Sequence, residues 1–200
     1  GSVAHHDSGG NHGIIGPGGV QWMTAASGVL HKEYHESEFA RKGGMFQMVQ
    51  LWVNLPAAYK MSAPKYQGFS EKDIPTVHLE GAMGHVKVVA GEYKGTQGAA
   101  DTFTEVHLYN VHLKDQGKAS FSFPAQQNTA VLVLSGSINL ASHEESIVEN
   151  HLVLFQNKGE SFEISANQAT DLLVLSGNPI HEPIAAQGPF VMNTQAEIAE

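Results

Sequence analysis

His31 and Glu33 form the short motif in this chain whose residue types and spacing suggest chemistry. Lys32 separates them at the end of a glycine-rich stretch, residues 13–33. In a β-strand, side chains two positions apart point to the same face, so the imidazole and the carboxylate would project together. This pair offers two adjacent ligands of the types that suit Fe, Mn, Ni or Zn. A purely structural pair, in which the two side chains only hydrogen-bond each other, is the alternative.

Three further histidines precede this motif. His5, His6 and His12 lie in a segment dense in glycine, serine and aspartate, which predicts tight turns between short strands. These histidines could bind a metal, but because loop residues have no fixed register, we expect the three side chains to be exposed to solvent instead.

The elements that must position the motif are short strands. Strand-forming runs alternate with turn residues such as Gly117, Gly136 and Gly159, a pattern typical of an antiparallel sandwich or barrel. The predicted fold class is therefore all-β. The predicted strands are residues 20–25, 29–35, 45–55, 77–91, 103–113, 119–123, 129–134, 137–140, 152–155, 161–164 and 171–175.

Two further elements carry specific expectations. Residues 45–55 have apolar side chains on both faces, which predicts a strand inside a sandwich with Met48 and Trp52 in the core. Near the end of the chain, Thr194 and Glu197 fit the T-x-x-E capping box, so we expect a helix to begin there.

Composition excludes several classes of function. The formal net charge is −9, from 20 acidic and 11 basic residues, which argues against direct binding of nucleic acid, since that needs clustered Lys and Arg. The chain has no cysteine, so thiol catalysis and Cys-ligated metals are excluded. Its apolar runs fall far short of the roughly 20 residues that a transmembrane helix needs. We expect a soluble, cytoplasmic protein that does not bind membranes.

Three separated motifs together resemble those of the pirin family of bicupins. They are HHDSGGNHGIIGPGGVQWMTAASGVLHKE, MVQLWVNLP and LSGNPIHEPIAAQGPFVMNT, and they span nearly the whole chain. The resemblance implies two tandem cupin lobes, each a jelly-roll β-sandwich or barrel. We place these lobes at residues 1–95 and 96–200, the second including the start of the C-terminal helix.

The resemblance also implies one metal ion in the first lobe, held by three histidines and one glutamate. The last two of these ligands fall on His31 and Glu33, and the first two belong to an H-P-H-type motif upstream of Gly1. Fe(II) is the expected metal, with Mn, Ni, Zn or Cu as alternatives. A weak internal repeat, which matches Gly1 with Gly136, predicts a further strand before Gly1. Since the expected C-terminal helix is also cut off at Glu200, we expect a chain truncated at both ends.

Pirin-like proteins suggest two functions. In the first, the chain is a quercetin 2,3-dioxygenase whose partners are a flavonol-like small molecule and dioxygen, with Glu33 accepting the substrate's hydroxyl proton as the catalytic base. Gln21, Trp22 and Met23 would then line the pocket or simply pack in the core. In the second, the chain is a non-catalytic regulator whose metal oxidation state controls its affinity for a protein partner. A merely structural bicupin without stoichiometric metal is a third alternative.

Overall fold

The computed structural model describes residues 1–141 and 143–199, and most of its regular structure is β-strand. Two single 3₁₀ turns, Glu71–Asp73 and Glu80–Ala82, interrupt the strands. The elements in chain order are β1 Val3–Asp7, β2 His12–Ile15, β3 Val20–Thr24, β4 His31–His35, α1 Ser37–Lys42, α2 Ala57–Lys60, β5 Lys65–Phe69, β6 Thr76–His78, β7 Gly84–Ala90, β8 Glu92–Tyr93, β9 Thr96–Gln97, β10 Val106–Leu113, β11 Lys118–Ser122, β12 Asn128–Ser135, β13 Ser137–Leu140, β14 Ile147–Val148, β15 Leu152–Leu154, β16 Ser161–Ala166, β17 Thr170–Gly177, β18 Ala185–Gln187, β19 Phe190–Met192 and α3 Gln195–Ala199.

These elements group into two compact units. The first unit combines Gly1–Asp73 with residues 180–199, and the second is Ile74–Pro179. The boundaries between these two units therefore differ from the expected lobe boundary between residues 95 and 96. That boundary refers to the family's two lobes and stays a prediction.

The second unit is a sandwich of two antiparallel sheets. One sheet has six strands in the order β15-β12-β17-β10-β7-β6, and the other has four in the order β11-β16-β13-β14. Alternate side chains of both sheets are apolar and buried in a single core, which includes Val86, Val111, Ile138, Ile164 and Leu172. Burial of this apolar surface is the main force that holds the two sheets together.

The first unit is built from smaller sheets. Strand β1 lies between β2 and β4 in a three-stranded sheet, while β3 pairs with β5 and β18 pairs with β19. Few of its side chains are buried; among the described residues they are Ala4, His5, Thr24, Lys60 and Ala185. This unit therefore depends on strand pairing and polar contacts more than the second unit does.

The all-β prediction is confirmed, and most predicted strands occur with their ends moved by a few residues. Residues 137–140 form β13 as predicted, and the 77–91 prediction divides into β6 and β7 around the turn at Glu80–Ala82. The capping box is also present, because the Thr194 backbone N–H donates to Glu197 Oε2 and the Glu197 N–H donates to Thr194 Oγ1.

The prediction for residues 45–55 is wrong. The structure assigns them no strand, and Met48 and Trp52 are 53% and 65% exposed where a core position was expected. Strand propensity reflects packing and pairing more than backbone preference, and none of the described strands pairs with this segment. Within the described residues, no helix has the length and apolar character needed to cross a membrane.

Candidate metal centre

The antiparallel pairing of β1 with β4 builds the candidate site. His5 lies directly opposite Glu33, and Asp7 lies opposite His31. Since alternate residues of a strand share a face and directly paired residues share it too, these four side chains project from one side of the sheet. The pair His5 and Asp7 on β1 therefore meets the pair His31 and Glu33 on β4 at one face of the sheet.

Three of these side chains offer ligand atoms at one point. One atom each from His5, His31 and Glu33 lie within 4.8 Å of one another. The His5 and His31 ring centroids are 5.7 Å apart. His5 is fully buried and His31 is exposed, so the group is open on one side. Two imidazoles and a carboxylate form the ligand set typical of non-haem iron sites with free coordination positions.

The unpaired nitrogen of His5 fits a metal ion at this point. Its Nδ1 is buried and makes no hydrogen bond, whereas its Nε2 lies 3.4 Å from Asp7 Oδ2. If Nε2 carries the proton and donates it to Asp7, Nδ1 presents a lone pair. A buried nitrogen without a partner is costly, and a coordinated cation would remove that cost. The donor set and this free nitrogen both fit a divalent metal.

Asp7 is itself held in place by a tight turn. Its Oδ1 accepts hydrogen bonds from the backbone N–H groups of Gly9 and Asn11, and the Asn11 side chain donates to both of its oxygens. Desolvation by burial opposes ionisation, but the hydrogen bonds from Asn11, His5 and Gly9 outweigh it and hold the pKa of Asp7 below its usual value. An ionised carboxylate therefore faces His5.

A second strand pair orients Glu33. Strand β3 pairs with β5, and from these strands Gln21 Nε2 donates to Glu33 Oε1 at 2.9 Å while the Tyr66 hydroxyl lies 3.5 Å from Gln21 Oε1. The Tyr66 ring also stacks on His5, with centroids 4.9 Å apart. Burial, and then the charges of Asp7 and Glu33, raise the pKa of Tyr66. Tyr66 therefore stays a neutral hydrogen-bond donor.

Of the three residues expected to line a pocket or pack in the core, Gln21 contacts the candidate site directly. Met23 lies two positions further on the same strand face, and Trp22 lies between them on the opposite face. All three side chains are half-buried. Gln21 is therefore the member of this set with a defined polar role beside Glu33.

The structure brings His31 and Glu33 together on one strand face and corrects the expectation for His5. His6 and His12 are exposed, as predicted, but all three histidines lie in strands and not in a loop: His5 and His6 in β1, His12 in β2. Strand alternation separates His5 from His6, because consecutive side chains point to opposite faces. The available signal was the spacing of His5 and Asp7, which repeats the i, i+2 spacing of His31 and Glu33.

The strand topology and the site define an all-β protein of the cupin class, and comparison with known proteins specifies the family. The profile for Pirin matches residues 1–53, and that for the Pirin C-terminal cupin domain matches residues 108–200. Human pirin is 32% identical over 203 residues, a match that covers 100% of this chain and 68% of that protein. The chain belongs to the pirin family.

Other relatives extend the comparison. A Pseudomonas aeruginosa protein whose name assigns it provisionally to the quercetin 2,3-dioxygenases is 46% identical, covering 99% of this chain and 68% of that protein. The structure of quercetin 2,3-dioxygenase from Acinetobacter baumannii matches with a TM-score of 0.94 at 44% identity, covering 100% of this chain and 69% of that one. A nickel(II) complex of a bacterial pirin from Escherichia coli shares the fold at 18% identity, with a TM-score of 0.67 and coverage of 90% and 69%.

The lowered pKa of Asp7 makes the stability of this site depend on pH. The ionised carboxylate stabilises the folded chain above the usual pKa of about 3.9, and this contribution is lost as the pH falls through the lowered value. We expect Asp7→Ala to lower the free energy of unfolding near neutral pH and to have a shrinking effect in acid. Urea unfolding at a series of pH values measures the free energy of unfolding of the original and the substituted protein. Asp7→Asn cannot ionise, so its free energy of unfolding should also approach that of the original protein as the pH falls. A difference between the two that stays constant with pH would contradict the lowered pKa of Asp7.

Proposed function

We propose that this chain binds a single divalent metal, Fe(II), and acts as a dioxygenase on quercetin-like flavonols. The observation that carries the proposal is the convergence of His5, His31 and Glu33 within 4.8 Å. Two imidazoles and one carboxylate with an open side favour a non-haem iron oxygenase. The similarity to proteins named as quercetin 2,3-dioxygenases supports the substrate class. Nickel, the metal in the E. coli pirin complex, is an alternative ion, as are Mn, Zn and Cu.

Two of the three ligands, His5 and Glu33, would enter the site already oriented. Asp7 faces His5 Nε2, which leaves His5 Nδ1 free to bind the ion. His31 projects from the same strand face as Glu33 and supplies the second imidazole. When bound, iron would supply open coordination positions for the flavonol and for dioxygen, and a path for electrons between them.

Glu33 is the group we propose as general base. Gln21 Nε2 donates to its Oε1, and Tyr66 in turn lies within reach of Gln21 Oε1, so the carboxylate is held in one orientation. Oε2 then remains available to accept the hydroxyl proton of a flavonol beside it. This transfer generates the more electron-rich anionic form of the substrate, which is the form that reacts with an oxidant more readily.

Three other expectations from the sequence remain predictions: a cytoplasmic location, a protein partner, and two further histidine ligands upstream of Gly1. A metal-dependent regulator would use the same ligands without turnover, so measurement of activity separates this function from the proposed one. The protein would then bind iron stoichiometrically and leave flavonols unchanged.

Removal of the proposed base should abolish most of the activity. With iron supplied to the chain, loss of quercetin absorbance should exceed that with free iron, and Glu33→Gln should lower kcat/KM by about 10²-fold or more, since general-base catalysis and a metal ligand are both lost. Glu38→Gln is the matched control, because Glu38 is an exposed carboxylate on α1 and pairs with Arg41. Turnover no greater than that of free iron, or turnover that Glu33→Gln leaves unchanged, would refute the dioxygenase proposal.

Adjacent histidines of β1 provide a second test. His5→Gln removes a proposed ligand, whereas His6→Gln alters the neighbouring exposed side chain on the opposite face. We expect His5→Gln to weaken iron binding by about 100-fold or more, exceeding the usual loss from changing a residue that only orients a ligand. His6→Gln should leave the affinity within about twofold. Competition with a chromophoric chelator measures both, and equal affinities of the two variants would exclude His5 as a ligand.

A further inference from the structure

A row of ionisable side chains crosses the six-stranded sheet of the second unit. His78 on β6 is paired with His85 on β7, His85 with His112 on β10, and His112 with Asp171 on β17. On β12, Ser135 is paired with Asp171. Directly paired residues share a sheet face, so five neighbouring strands present these side chains side by side.

The row lies on the face opposite the sandwich core. The residues next to it along three strands, Val86, Val111 and Leu172, are fully buried in that core. Alternation along a strand therefore turns His85, His112 and Asp171 outward, and each of the three is only half-buried. Together with His78, His85 and His112 line a pocket of about 390 Å³.

Asp171 fixes the orientation of His112. The His112 Nδ1 lies 2.8 Å from Asp171 Oδ1, and Ser135 Oγ donates to the other carboxylate oxygen at 3.2 Å. With its Nδ1 proton donated to Asp171, His112 presents the lone pair of Nε2. A carboxylate behind an imidazole is the usual arrangement at metal-binding histidines, where it fixes the tautomer and strengthens the ligand.

His85 is the middle member of the row, paired with His78 on one side and His112 on the other. Its ring stacks on that of His112 with centroids 5.3 Å apart and an angle of 28°. The His78 ring lies 6.3 Å from His85. Among the described residues the ring nitrogens of this row do not converge within 4.8 Å, so binding of one ion by all three would require rotation of the side chains about their χ angles.

We propose that His78, His85 and His112 bind a divalent transition-metal ion, with Asp171 as the positioning residue for His112. Imidazole nitrogens suit Zn²⁺, Cu²⁺ and Ni²⁺, and neutral histidine is the form that binds them. This site shares no residue with the group formed by His5, His31 and Glu33, so it does not depend on the proposed dioxygenase function. Bound metal would cross-link three adjacent strands.

Zinc titration tests the site in a background that lacks the other ligand group. In His31→Gln/Glu33→Gln protein, calorimetry with Zn²⁺ should show one equivalent of binding. Adding His85→Gln and His112→Gln should weaken that binding by about 100-fold or more, since two of three ligands are lost. The matched control adds His151→Gln and His181→Gln, which remove two exposed histidines outside the row. Absence of binding in the background protein, or binding that survives loss of His85 and His112, would overturn the proposal.

A second variant and a spectroscopic readout keep the test independent of any folding defect. Asp171→Asn retains all three ligands and should weaken Zn²⁺ binding by about 10- to 100-fold through loss of the carboxylate behind His112. In the background protein, Zn²⁺ should shift the ring NMR signals of His85 and His112. Shifts confined to other histidines would contradict the assignment.

Discussion

The register between β1 and β4 is the constraint on which the candidate metal centre depends. It sets His5 opposite Glu33 and Asp7 opposite His31, so that the three candidate ligands and the orienting carboxylate share one face of the sheet. A slip of one residue would turn His6 towards the site and His5 away from it, because side chains alternate between faces.

Two polar networks hold two of the candidate ligands. Hydrogen bonds from the backbone N–H groups of Gly9 and Asn11 hold Asp7 in its turn, and Asp7 orients the imidazole of His5. Gln21 fixes the carboxylate of Glu33 and connects it to Tyr66, whose ring covers His5. In a unit with few buried apolar side chains, these contacts provide rigidity that a larger core would otherwise supply. A site with both ligands pre-oriented needs little rearrangement to bind a cation.

The sequence allowed prediction of features that depend on neighbours along the chain. Strand alternation predicted most of the second unit and placed His31 and Glu33 on one face. Features that depend on which strands pair could not be predicted from the sequence. His5 lies far from Glu33 along the chain and meets it only because β1 pairs with β4. His78, His85 and His112 align only through the register of their strands. The prediction of a strand at residues 45–55 failed for the converse reason, because strong strand propensity does not supply a partner strand.

We propose that His5 belongs to the same metal-binding group as His31 and Glu33. A crystal structure of the iron-loaded chain, with anomalous scattering measured at the iron absorption edge, tests it most directly. We predict an iron peak within coordination distance of His5 Nδ1 as well as of the His31 ring and the Glu33 carboxylate. Iron bound to His31 and Glu33 with the His5 ring outside its coordination sphere would contradict it.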